Sequence, residues 1–96
     1  MPDTVVVHCK KHEYDVYIGR PGPWGNPFIE GKDGTRKHVI EKFRIWFLTS
    51  KDERAIWMRS NIRTLSGKRL GCWCSPLPCH GNILAFYADY DKNKYF

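Results

Sequence analysis

The segment Leu70-Gly71-Cys72-Trp73-Cys74-Ser75-Pro76-Leu77-Pro78-Cys79-His80-Gly81 constrains the fold more than any other stretch of the chain. Leu70, Cys72 and Cys74 alternate with Gly71 and Trp73, which is the period of a strand with one buried face. Both thiols therefore leave the same face. Pro76 and Pro78 then impose a turn, after which Ile83, Leu84, Tyr87 and Ala88 take up helical spacing between Asn82 and Asp91. Cys79 and His80 fall at the start of that helix, where unpaired N–H groups and the helix dipole favour negative charge and lower a thiol's pKa. A strand that enters a helix through a rigid turn is a setting in which a site can be built.

The rest of the chain supplies two more strands and two more helices. Thr4 to Cys9, with its consecutive valines, reads as a strand, and Asp15-Val16-Tyr17-Ile18 as a second; the polar Lys10-Lys11-His12-Glu13 between them predicts a hairpin. Cys9 and His12 have ligand-like spacing, but they read as a buried thiol and a solvated ring. Asp33 or Thr35 caps a helix whose stripe is Val39, Ile40, Phe43, Trp46 and Phe47. Asp52 caps another, with Ala55, Met58, Ile62 and Leu65 inward and Gly67 after its end. Lys68 to Cys74 is the third strand, and residues 91–96 form a polar and aromatic tail. The expectation is a single domain over residues 1–96 of α/β class with α+β character. A small three-stranded sheet is covered by about three helices, in the order β-β-α-α-β-α.

A net charge of +6 points to an anionic partner: nucleic acid, a nucleotide or an acidic protein. The sequence has no apolar run of membrane-span length and no signal peptide, so a cytoplasmic protein without a membrane partner is expected. In a reducing compartment clustered cysteines indicate metal binding or catalysis before disulfides. Cys72 and Cys74 are also too close and too parallel on one strand to bridge each other.

The loop Gly19-Arg20-Pro21-Gly22-Pro23-Trp24-Gly25-Asn26-Pro27-Phe28 reads as a pocket wall, because its prolines and glycines fix a turn-rich path. Arg20 offers a planar fork for phosphate or carboxylate, Asn26 an amide, and Gly25 close backbone approach. Arg36 stands in the first turn of its helix, where a cation opposes the dipole, so it reads either as held there for a ligand or as solvated. Arg54, Arg59 and Arg63 make a basic stripe that could track phosphates or lie solvated. For the cysteine cluster three readings stand. Cys72, Cys74, Cys79 and His80 supply zinc-ligand atoms, as a set of four or as three with Cys72 packed as a small hydrophobe, although their spacing is not that of a finger or ribbon. Alternatively Cys74 or Cys79, beside His80 and the helix start, is an activated thiolate. In the third reading all these thiols are packing residues. The zinc deaminase signature is absent.

Val16-Tyr17-Ile18-Gly19-Arg20-Pro21, Trp24-Gly25-Asn26-Pro27-Phe28, Gly34-Thr35-Arg36 and the stretch from Leu65 through Cys72-Trp73-Cys74 to Cys79-His80-Gly81 resemble the DUF4326 family, a small domain of bacteria and bacteriophages. The resemblance spans about residues 14–88 and implies that these segments form one functional patch, without supplying a reaction. Asn82 stands where an acidic residue is expected in many members, which puts in doubt any role of a carboxylate there.

The leading expectation is a pocket for a phosphate-bearing nucleotide or nucleic acid. Arg20, Asn26, Arg36 and Lys68 would hold its polar groups, and Trp24 or Trp73 would stack on it. Cys74, Cys79 and His80 would form a metal or reactive centre at the floor, serving a nucleotide or nucleoside transferase or hydrolase if the protein is an enzyme. The alternative is a bacteriophage accessory protein that inhibits a host protein through its basic surface, with the Cys/His cluster purely structural.

Overall fold

In chain order the elements are β1 (Val5–His8), β2 (Val16–Tyr17), α1 (Arg36–Thr49), α2 (Glu53–Asn61), a 3-10 turn (Ile62–Leu65), β3 (Arg69–Cys72) and α3 (His80–Ala88). The computed structural model describes residues 3–75 and 77–90. Pro76 and the expected tail at 91–96 lie outside the described residues. The α/β class and the order of elements agree with the sequence. The pairing of the first two strands does not.

The expected hairpin is replaced by a wholly parallel sheet in the order β1-β3-β2. Val6 and Val16 both pair with Leu70, from opposite sides of β3. The connection between β1 and β2 therefore crosses β3 instead of turning back on β1. Gly71 makes room for it: Tyr14 lies so near that a Cβ at position 71 would come within 2.6 Å of the tyrosine ring. Asp15 then anchors the start of β2, since its N–H donates to the Arg69 carbonyl at 2.8 Å and its carboxylate accepts the Arg69 N–H at 2.8 Å. Polar residues between two strands suit a crossing as well as a turn, and no Asn-Gly or Asp-Gly pair specifies a tight hairpin here.

The helices follow their apolar stripes. Thr35, not Asp33, caps α1 by accepting the His38 N–H, while the Asp33 carboxylate takes the Ile29 N–H at 2.8 Å. Asp52 caps α2 by accepting the Arg54 N–H at 2.9 Å. Gly67 has φ +77°, the left-handed backbone expected after a helix end. The third strand stops at Cys72 instead of Cys74, and α3 begins at His80, ahead of Asn82. Cys9 is only half-buried, whereas His12 is exposed as expected.

The core gathers between the sheet and the helices around Ile18, Phe43, Phe47, Met58, Leu65, Leu70 and Leu84. Phe43 stacks on Phe47 with centroids 6.0 Å apart and meets the His80 ring edge-on at 5.2 Å. A polar clasp joins the two ends of the described chain. The buried Asp89 carboxylate accepts the Thr4 N–H at 2.9 Å, the Thr4 hydroxyl at 2.7 Å and the Ser66 hydroxyl at 2.9 Å. Among the described residues no helix is long and apolar enough to cross a membrane.

Phe43 has no exposed surface and links α1 to the His80 ring. Phe43→Ala should cost about 3–5 kcal/mol, the usual range for emptying a buried aromatic position. Urea unfolding followed by tryptophan fluorescence measures it, and an unchanged midpoint would contradict this packing.

Candidate functional site

Because the sheet is parallel, β2 and β3 deliver their following segments to the same edge, the carboxyl end where open α/β sheets place ligands. Gly19 and Arg20 follow β2; Trp73, Cys74 and the turn to α3 follow β3. A cavity of about 150 Å³ opens between them. Arg20, Asn26, Arg36 and His80, distant in sequence, line it together. So do Cys72, Trp73, Cys74 and Cys79, with Glu30 and Pro78 at the wall.

Two expected members lie elsewhere. Lys68 precedes β3, at the opposite, amino end of the strand, and is exposed there. Trp24 is buried, packed on Trp57 at 4.9 Å between centroids, and offers no face to a ligand. Trp73 is exposed instead. Its indole N–H donates to the Tyr17 hydroxyl at 2.9 Å, and Lys10 lies 5.3 Å from its ring centre.

The loop's polar side chains have structural work that the sequence did not disclose. Arg20 Nη1 donates to the carbonyls of Asn26 at 3.1 Å and Phe28 at 3.3 Å, closing the loop on itself. The buried Asn26 donates from Nδ2 to the Val39 carbonyl at 3.2 Å and accepts the Phe28 N–H at 2.9 Å, pinning the loop to α1. From α2, Arg54 Nη1 donates to the carbonyls of Pro23 at 2.8 Å and Gly25 at 2.7 Å. Arg59 donates to the carbonyls of Phe47 and Ser50, both at 2.7 Å, where α1 ends. Two members of the basic stripe are thus committed to the backbone of their own chain.

His80 is the central staple. Its Nε2 lies 2.7 Å from the Ile18 carbonyl and 3.0 Å from that of Trp24. Two acceptors require Nε2 to carry the proton, so the ring is the Nε2–H tautomer. Burial holds its pKa below the ordinary histidine value; the two carbonyls oppose this, and the nearby Arg20 and Arg54 charges add to it.

The thiols meet at the floor. Cys72 and Cys79 are both buried, with Sγ atoms 3.3 Å apart. A hydrogen bond from Cys79 holds the Cys72 thiol well below the ordinary range against the effect of burial, with help from backbone N–H groups of Cys74 and Ser75 and from His8. Cys79 is pushed up, by its bond to Cys72, by burial and by the Cys72 charge. Its Sγ caps α3, accepting the Gly81 N–H at 3.3 Å as the helix-start reading expects, while contact with Cys72 opposes its ionisation. Asn82 completes the cap by accepting the Cys79 N–H at 2.9 Å, a task a carboxylate would perform equally.

Arg36 sits at the mouth. It donates from Nη1 to the Pro78 carbonyl at 3.1 Å, pairs with Glu30 at 3.4 Å and lies beside the Cys74 thiol, which raises its pKa. Among the described residues no three His, Cys, Asp or Glu side chains are grouped to hold a metal ion, and the His80 Nε2 is given to carbonyls.

A buried neutral histidine makes folding sensitive to acid. The unfolded chain takes up a proton near pH 6.5 while the native ring, with its lowered pKa, does not, so the unfolded state binds more protons below that pH. Stability should be fully present above about pH 6.5 and fall as pH drops toward the native value, by at most about 1.4 kcal/mol per pH unit for this proton. Urea unfolding at stepped pH measures the slope. His80→Gln, whose amide can still donate, should flatten it, and an equal slope in both proteins would refute the assignment.

Residues 7–90 match the family described as a domain of unknown function, DUF4326. The chain is 42% identical over 81 residues to an uncharacterized 12.4 kDa protein of Enterobacteria phage T4 from the nrdA-td intergenic region, covering 83% of this chain and 72% of the phage protein. It is 30% identical over 95 residues to the uncharacterized protein R718 of Acanthamoeba polyphaga mimivirus, covering 88% of this chain and 64% of that one. No solved structure matches it. With the match reaching from β1 through α3, and so across every segment that lines the cavity, this chain belongs to the DUF4326 family.

Proposed function

We propose that the cavity binds the ring portion of a nucleotide, with Arg36 engaging the phosphate at the rim. One observation carries this reading: a cavity of about 150 Å³, mostly apolar in its lining, opens beside a cation and an exposed indole. That volume admits a single ring-sized group and not a whole nucleotide. The sugar and phosphate would therefore lie outside it, over Trp73 and Arg36. The Arg36 side chain is one-third exposed, at 34%, and its planar fork suits phosphate better than an ammonium would. The stapled loop supports the same reading, because a wall fixed before binding spares the ordering cost of a mobile one. An inhibitor acting through the basic stripe draws less support, since Arg54 and Arg59 already donate to carbonyls of this chain.

Titration with nucleoside mono- and triphosphates, followed by Trp73 fluorescence and amide chemical shifts, tests it. A phosphate contact from arginine is a charge-assisted hydrogen bond, worth about 1.5–3 kcal/mol. Arg36→Ala should therefore weaken binding about tenfold or more while the thermal midpoint shows the fold intact. Failure of every nucleoside phosphate to bind at millimolar concentration, or equal binding by Arg36→Ala, would refute the reading.

A further inference from the structure

We infer that Cys72 and Cys79 form an oxidisable dithiol, which hydrogen peroxide or a hydroperoxide of similar size converts to a disulfide inside the cavity. The inference does not rest on nucleotide binding. It begins with the geometry: two sulfurs 3.3 Å apart, one at the end of β3 and the other capping α3, both facing one small cavity. Bonding needs the sulfurs to approach to about 2.05 Å, a shift of roughly 1.3 Å. Small side-chain rotations at the strand end and the cap can supply it. The cavity, at about 150 Å³, also selects the oxidant. It admits a small peroxide with room to spare, whereas a tripeptide disulfide is far larger than the space over the two buried thiols.

The residues divide the chemistry in sequence. The Cys72 thiolate attacks one peroxide oxygen, the O–O bond breaks, and the departing hydroxide takes a proton to leave as water. Cys72 becomes a sulfenic acid, oxidised by two electrons. With the Cys72 charge gone, its share of the influence that kept Cys79 protonated is removed, and burial remains. The Gly81 N–H and the start of α3 then favour a thiolate at Cys79. That thiolate attacks Cys72 Sγ, the S–O bond breaks, and the hydroxide leaves with the proton Cys79 released. Two thiols and one peroxide give one disulfide and two waters. Cys74 also lines the cavity and is half-buried, but it lies in the turn beyond β3, and the Sγ in contact with Cys72 is that of Cys79.

The test uses the reduced, intact chain and a small molar excess of hydrogen peroxide. After denaturation and alkylation of free thiols, the expected product is about 2 Da lighter before alkylation. Its digest should join the Cys72 and Cys79 peptides and carry alkyl groups on Cys9 and Cys74, and dithiothreitol should reverse the link. Cys79→Ser should stop at the sulfenic acid, trapped on Cys72 by dimedone. A link through Cys9 or Cys74, stepwise oxygen addition without loss of two hydrogens, or no reaction of the native chain would each overturn the proposal. If Cys79→Ser does not fold, the wild-type digest alone decides.

Discussion

The hydrogen bonds that β3 makes on both of its sides hold the molecule together. The Cys9 N–H donates to the Cys72 carbonyl at 2.9 Å on one side, and the Ile18 N–H to the Gly71 carbonyl at 2.9 Å on the other. Among the described residues β1 and β2 pair with no other strand. Parallel sheets need cover on both faces, and here the faces are covered by different means. Leu70 and Cys72 turn toward the helical core, while the opposite face carries Tyr14 over Gly71, with Tyr17 bonded to Trp73. The glycine that looks like a weak point in the strand is what lets the connecting chain cross it.

From that pairing follows the placement of everything at the cavity. Parallel strands aim the proline-rich loop and the cysteine turn at one edge, and polar side chains then hold the loop in position. His80, Arg20, Asn26 and Arg54 each use donors on backbone carbonyls. A loop of prolines and glycines contributes few backbone N–H donors and leaves carbonyls that need partners. The basic and amide residues of this chain answer that need, so part of its positive charge serves the fold.

The helices were legible because the information that specifies them is local. The stripe containing Val39, Phe43 and Phe47 and the caps at Thr35 and Asp52 are read within a few residues. The gathering of Arg20, Asn26 and Arg36 around His80 was legible too, since rigid loops and helix starts carry a recognisable residue pattern. Strand pairing was not, because the partners of Val6 and Val16 both lie at Leu70, and no local pattern encodes a distant register. The staples were also hidden: a side chain bonded to a carbonyl leaves no trace in the identity of its acceptor. The thiols illustrate a third limit. The helix-start argument treats Cys79 as an isolated group, whereas its Sγ touches that of Cys72, and two thiols in contact cannot both ionise freely.

The clasp between Thr4 and Asp89 turns the described chain into a closed ring, with the first strand tied to the end of the last helix. During synthesis β1 emerges first and finds neither its strand partner nor its clasp until residues 69–72 and then 89 have followed. Nascent chain of this design stays open along its apolar valines until β3 has followed. A ribosome stalled before β3 would thus hold a segment with an unpaired strand, the kind of surface that holding chaperones recognise.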